Sequence, residues 1–261
     1  MSFFSGNRCW ISPASAEKQW GTVFFHRSIN EYRPVFFSWK AACVPVYSLS
    51  FKKNHFKYAY FFIRLWCLGM FYGMGFRYKL IKQHNKHIDK NRQYVIIANH
   101  TSLIDVLLPS ILFPHHPICY VGKKELVKIP IFGTIYKRIC VMVDRKSPKS
   151  RAEVYKRCAK RMEQGDSIVL FPEGGVPEDT NVLLDKFKDG AFTLSSNHKF
   201  PIAVFTIAGL KEMFPFQNDK GHPGTVHVYF NDILEPEESL IEMKNKSFSM
   251  IENTLKDFYH H

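Results

Sequence analysis

The chain contains no C-x-x-C pair; its six cysteines, Cys9, Cys43, Cys67, Cys119, Cys140 and Cys158, are scattered along 261 residues. That scatter excludes a zinc knuckle or a compact disulfide framework and leaves reduced, partly buried thiols as the reading. A continuous apolar stretch behind a basic start is missing from the N-terminus, so no secretory signal peptide is expected and the working compartment is read as cytosol-facing. Internal repeats and low-complexity tracts are absent. Acid is in short supply: 23 Asp+Glu stand against 36 Lys+Arg, a formal charge of +13. With 46% hydrophobic residues the chain is neither disordered throughout nor collagen-like.

What is present in excess is positive charge and aromatic surface, with 24 Phe and 12 Tyr. Together they point to a polyanionic partner: a membrane surface, nucleic acid or a phosphorylated substrate. Residues 1–50 show no sustained periodicity and are assigned no regular structure, either as a mobile extension or as a stretch ahead of the native start. From 58 to 76 the chain reads YAYFFIRLWCLGMFYGMGF, where only Arg64 is charged. At ~1.5 Å per residue this is just long enough to span a bilayer. Lys52, Lys53 and Lys57 precede it and Arg77, Lys79 and Lys82 follow, so the charge bias sets no orientation. Basic flanks on both sides suit a helix or helical hairpin lying in one leaflet with Arg64 snorkelling; a buried core helix is the alternative.

Beyond a basic linker, apolar runs alternate with helical patterns. Strands are expected at 94–98, 118–121, 139–143, 167–171, 201–207 and 225–230, and helices at 102–113, 149–164, near Ala191 and at 238–258. This predicts an α/β fold, a mixed, largely parallel sheet covered by helices on both faces. The organisation is then an unassigned 1–50, a basic, apolar membrane-binding helical segment at 51–92, and an α/β domain at 93–261.

Three motifs follow directly on strands, where α/β folds build their sites. The first is N-H-T-S-L-I-D from Asn99 to Asp105. Positions five apart on one helix differ by ~140°, so His100 and Asp105 meet only if His100 stands in the loop and Asp105 in the first helical turn. Ser102 as N-cap, with Asp105 three residues on, provides that arrangement; it is equally a plain capping box beside an ordinary loop histidine. The second is V-G-K-K-E-L, with Lys123 and Lys124 at a strand-to-helix junction, followed by Val143-Asp144-Arg145. Such cations hold phosphate or are simply solvated. The third is F-P-E-G-G, in which Gly174 and Gly175 allow close backbone approach and Glu173 is an acceptor, or else an exposed acid in a turn.

This set, with P-I-F-G, F-K-D-G-A-F and P-I-A-V-F in the same order and approximate spacing over 94–209, resembles the glycerolipid acyltransferases of the 1-acylglycerol-3-phosphate acyltransferase type. The resemblance implies acyl transfer with His100 as general base and Asp105 orienting it, Glu173, Gly174 and Gly175 shaping the acceptor side, and Lys123, Lys124 and Arg145 binding the acceptor's phosphate. The implied product is phosphatidic acid. The donor would be acyl-CoA or acyl carrier protein, and no metal or redox cofactor is needed. An imidazole within ~2.6 to 3.2 Å of a lipid hydroxyl takes its proton during attack on a thioester, and a carboxylate on the other ring nitrogen fixes the tautomer. No G-x-S-x-G occurs, so a covalent acyl-enzyme is not indicated.

One departure bears on the acceptor. The family commonly reads F-x-E-G-T-R-S, whereas Gly175 and Val176 stand here in place of Thr and the phosphate-binding Arg. A charge-assisted hydrogen bond is worth ~1.5 to 3 kcal/mol, so either another cation replaces it or the acceptor differs. Lys123, Lys124, Arg145, Lys186 and Lys188 are the candidate substitutes, and a lysophospholipid or lyso-aminolipid is the alternative acceptor. An acyl chain of about fourteen methylenes costs on the order of 11 kcal/mol to leave a bilayer unprotected, so the enzyme is expected at the cytoplasmic membrane face. Residues 51–92 carry ten Lys/Arg against one acid, Asp89, in keeping with an anionic surface. Nucleic acid is not among the expected partners; a non-catalytic basic binder explains the charge but not three motifs placed behind strands, and a hydrolase remains as a third class.

Overall fold

The computed structural model describes residues 56–128, 136–137, 139–144, 147–177, 182–215, 221–236 and 239–260. The expectation for 1–50 lies outside them.

Helix α1 (Phe56–Gly73) is apolar almost throughout, yet only one face is buried: Ala59, Tyr60, Cys67, Met70 and Phe71 enter the core. Gly75 ends the segment at φ +81, which lets the chain reverse into β1 (Arg77–Lys82). This strand falls within the stretch read from sequence as a basic linker. It pairs parallel with β7 (Thr225–Leu234) at the sheet edge. Arg77, Lys79 and Lys82 are exposed, as suits an edge, while Leu80 is exposed as well, so the strand carries no clear apolar alternation.

Strand β2 (Val95–Ala98) is central and buried along its whole length. Strands β3 (Ile118–Lys123), β4 (Val141–Val143), β5 (Ser167–Leu170), β6 (Ile202–Ala208) and β7 complete a seven-stranded sheet in the order β1-β7-β6-β2-β5-β3-β4. Every neighbouring pair is parallel except β6 with β7, which is antiparallel with an irregularity at Val204/Phe205. The result is the mixed, largely parallel sheet expected of an α/β chain.

Alternate residues of the central strands feed two cores. Ile96, Phe205 and Val228 pack with Phe71 of α1 and Leu108 of α2 (Leu107–Leu112). Val95, Ile97 and Val204 pack with Met162 of α3 (Pro148–Glu163), Phe192 of α4 (Gly190–His198) and Ile251 of α6 (Leu240–His260). A short helix, α5 (Leu210–Met213), follows β6. Both faces are thus covered, which is why the central strands read as unbroken apolar runs.

The helix expected over 102–113 is divided. A 3-10 turn at Leu103–Val106 comes first and α2 follows, because Ser102 and Asp105 form a capping box that tightens the start. Arg64 does not snorkel outward; its guanidinium turns toward the carbonyl of Ile111 at 3.5 Å, in the last turn of α2. Within the described residues the cysteines are free, with Cys67, Cys119 and Cys158 buried. Burial pushes the Cys67 and Cys158 thiols up to about 12. No helix among the described residues is long and apolar enough to cross a membrane.

Candidate active site

The loop leaving β2 is tied down before it reaches His100. Asn99, fully buried, donates from Nδ2 to the Ile207 carbonyl and accepts the Ile207 N–H, both at 2.8 Å. This pair closes the gap between β2 and β6 one residue beyond their ladder. Ser102 then caps the following turn and donates its hydroxyl to the Phe214 carbonyl at 2.8 Å.

His100 and Asp105 meet through this turn. His100 Nδ1 lies 3.0 Å from Asp105 Oδ2, and the same oxygen accepts the N–H groups of Thr101 at 2.6 Å and Ser102 at 2.8 Å. Asp105 is 0% exposed, whereas the His100 side chain is 16% exposed. A carboxylate oxygen accepts, so the shared proton sits on Nδ1 and leaves Nε2 with its lone pair. Phe171, the residue after β5, stacks on the imidazole with ring centroids 4.2 Å apart and planes 21° apart. The sequence reading gave no role to Asn99 or Phe171, although they are the first residues of the motifs N-H-T-S-L-I-D and F-P-E-G-G.

Glu173 is drawn into the same assembly through its carboxylate. It is 2% exposed, and one oxygen accepts the His100 N–H at 2.7 Å while the other accepts the Asp185 N–H at 2.9 Å. Burial raises its carboxyl from the ordinary 4.5 to about 7 against the pull of those two N–H groups. Gly174 follows at φ +78, and the end of the Lys188 side chain fills the space a Cβ would take. At Gly175 the corresponding space is open. His100, Asp105, Glu173, Gly174 and Gly175 therefore share one region at the C-terminal ends of the adjacent strands β2 and β5.

The cations named from sequence divide differently. Lys124 is exposed and lines a cleft of about 430 Å³ with Glu125, Val127, Lys137 and Met142, and none of the His100 group lines that cleft. The Lys123 side chain and Arg145 lie outside the described residues. An imidazole held by a buried acid on one side, with its other nitrogen free to face solvent, is equipped to take a proton from a weakly acidic hydroxyl.

The acyltransferase family model matches residues 80–208, which include every motif of this region. The chain is 29% identical over 123 residues to the 1-acyl-sn-glycerol-3-phosphate acyltransferase of Helicobacter pylori, covering 46% of this chain and 50% of that protein. To the lyso-ornithine lipid O-acyltransferase of Rhizobium meliloti it is 31% identical over 99 residues, 38% of this chain and 32% of the relative. The chain spans about half the length of the first curated relatives it matches. The crystal structure of the 1-acyl-sn-glycerophosphate acyltransferase of Thermotoga maritima superimposes with a TM-score of 0.70, covering 94% of this chain and 98% of that one. Sequence identity there is 18%, so the likeness is one of fold. Family match, relatives and strand-end motifs agree, and the chain belongs to the acyltransferase family.

Proposed function

We propose that this chain moves a fatty acyl group from a thioester, acyl-CoA or acyl carrier protein, to the free hydroxyl of 1-acylglycerol 3-phosphate, giving phosphatidic acid. The observation that carries this reading is the 3.0 Å pairing of His100 Nδ1 with the wholly buried Asp105. His100 Nε2 takes the hydroxyl proton as the oxygen attacks the thioester carbonyl. The tetrahedral intermediate collapses, the carbon–sulfur bond breaks, and the imidazolium returns the proton to the departing thiolate. Asp105 holds the ring and offsets the imidazolium charge, as the acid of a serine-hydrolase triad does.

Glu173 shapes the acceptor side by fixing two loops, and Gly175, open where a Cβ would stand, gives the acceptor close access to the backbone, whereas Gly174 has the Lys188 side chain in that place. Lys123, Lys124 and Arg145 are assigned to the acceptor's phosphate on the strength of the resemblance alone. A lyso-aminolipid acceptor is the second reading, favoured by Val176 in place of the family's usual Arg and by the similarity to the Rhizobium enzyme.

Within the 51–92 segment we assign membrane binding to helix α1, while β1 joins the sheet of the catalytic α/β domain that occupies 93–261. The cytoplasmic face is the side we propose, and helix α1 supports an in-plane arrangement at a membrane surface. Its inner face is in the core, while Tyr58, Phe61, Leu65 and Tyr72 form an exposed apolar stripe at helical spacing.

An acceptor screen tests the proposal. Purified enzyme in mixed micelles with acyl-CoA or acyl carrier protein is offered lysophosphatidate, lysophospholipids and a lyso-aminolipid. Acyl transfer fastest to lysophosphatidate is expected. Negligible transfer to it beside brisk transfer to another acceptor moves the assignment to the second reading, and fatty acid released without any acceptor would make the protein a hydrolase.

A further inference from the structure

Phe171 occupies the first position past the β2/β5 ladder, whose last paired residues are Ile97 and Leu170. Side chains alternate along a strand, and the chain carries that alternation one residue beyond β5: Ile168 and Leu170 pack into the core of α3, α4 and α6, Val169 and Phe171 into that of α1 and α2. The sheet therefore seats the ring, and the Gly174 N–H, donating to the Phe171 carbonyl at 2.9 Å, closes the turn behind it. From this seat the ring lies against the His100 imidazole, centroids 4.2 Å apart and planes 21° apart. Asp105 holds the same imidazole at one edge, through Nδ1, with an oxygen that the Thr101 and Ser102 N–H groups fix in turn. A ring held at one edge keeps the freedom to tilt about that bond. A second ring stacked on its face removes that freedom.

We infer that Phe171 is a positioning residue for His100: its ring holds the imidazole plane so that Nε2 keeps one direction, and its π-face favours the imidazolium formed when the acceptor hydroxyl gives up its proton. This rests on the acyl-transfer reading of the site. Asp105 and Phe171 divide the work, the acid acting in the plane of the imidazole and the aromatic face acting across it. The face of an aromatic ring carries the negative part of its quadrupole and attracts a cation placed over it, the more so where water is displaced. The His100 side chain is only 16% exposed. A neutral imidazole gains little from that field and an imidazolium gains most, so the effect falls on proton transfer rather than on substrate binding.

The test separates the shape of the ring from its charge distribution. Phenylalanine at 171 is replaced by its fluoro, difluoro and pentafluoro forms, which keep the ring and withdraw electron density from its face in steps. Phe171→Tyr and Phe171→Leu complete the set, and thermal melting controls for folding. Turnover is measured with acyl-CoA and lysophosphatidate in mixed micelles. Across the fluorinated series kcat should fall stepwise by about three- to thirtyfold. In Phe171→Leu, which loses alignment as well, it should fall by about ten- to a hundredfold. Because the contact matters most in the transition state, kcat and kcat/KM should fall together, and Phe171→Tyr should stay close to wild type. NMR of histidine-labelled protein supplies a readout that needs no substrate. The His100 ring protons, identified by their loss in His100→Ala, should lie upfield in wild type under the Phe171 ring current and move downfield in Phe171→Leu. Turnover that is flat across the fluorinated series, a loss in Phe171→Leu confined to KM or to melting temperature, or His100 resonances unmoved in Phe171→Leu overturns the inference. A wild type that transfers no acyl group to any acceptor defeats the transferase reading instead, and the resonances still decide whether Phe171 fixes the imidazole.

Discussion

Glu173, in the loop after β5, accepts the backbone N–H of His100, in the loop after β2, at 2.7 Å. The two strands are parallel neighbours, so the bond ties together two strand ends that the sheet ladder no longer holds. The second carboxylate oxygen extends the tie to Asp185. An acid that would usually face solvent is thus committed to backbone groups, and burial holds its carboxyl near 7.

That shift has a definite sign. The folded protein holds the Glu173 proton more tightly than the unfolded chain, which releases it near the ordinary 4.5. The group's contribution to stability is therefore complete below about pH 4.5 and lost as pH rises through about 7. Glu173→Gln does not titrate, so the stability of wild type minus that of the variant should fall across this window, by at most about 1.4 kcal/mol per pH unit. Urea unfolding at a series of pH values measures it; parallel curves for the two proteins would contradict the account.

Removing the imidazole should abolish chemistry and leave the fold. His100→Ala is expected to lower turnover by about 10² to 10⁴ with little change in melting temperature, since the side chain is partly exposed and its loop is held by Asn99 and Glu173. Asp105→Asn should also lower turnover, because an amide oxygen can take the place of Oδ2 and keep its three donors but carries no charge to offset the imidazolium. It should destabilise the protein by about 1 to 3 kcal/mol, because the amide NH2 then stands buried where Asp105 Oδ1 has no hydrogen-bond partner. Initial rates at saturating donor, paired with thermal melts, separate the two effects. Transfer undiminished in His100→Ala removes the assigned base.

The sequence carried what is local. V-I-I-A reads as a strand buried on both faces, and Ser102 three residues before Asp105 signals the turn that brings His100 and Asp105 together. Legibility failed where a partner distant in the chain decides the outcome. Arg77–Lys82 has too much charge and too little alternation to announce a strand; pairing with β7, almost 150 positions on, makes it one. The use Glu173 makes of both oxygens and the approach of Lys188 to Gly174 likewise depend on loops brought together by the sheet. Arg64 was placed by its charge alone, and a nearby helix-end carbonyl took it instead.

A polar staple secures that unannounced edge strand. Asn231 on β7 accepts from Thr206 on β6 and donates to both Gln83, just past β1, and Thr254 on α6, each at 2.8 Å. It is buried, so truncation takes the acceptor from the buried Thr206 hydroxyl, while Thr254 keeps the Met250 carbonyl and its contact with Gln83. Asn231→Ala should cost about 1 to 3 kcal/mol, with hydrogen exchange rising first in β1. A cost within 0.5 kcal/mol, the ordinary range for a surface change, would mean the network is slack.

The outer face of α1 offers a test that leaves the core untouched. Phe61 is 59% exposed and Leu65 53%, one turn apart on the stripe, while the inward residues Tyr60 and Phe71 are buried. Apolar side chains moved from water into a bilayer contribute roughly 1.5 to 3 kcal/mol each when fully buried. Replacing both Phe61 and Leu65 by Ser should weaken binding to anionic vesicles at least tenfold in flotation assays, while the melting temperature in detergent-free buffer stays the same or rises. Raising salt should weaken the remaining binding further, since the basic flank contributes about 1 kcal/mol per Lys or Arg near such a surface and that attraction is screened. If the double variant floats like wild type, the stripe faces something other than lipid. If it loses stability instead, α1 belongs to the core on both faces, and the in-plane membrane arrangement fails with it.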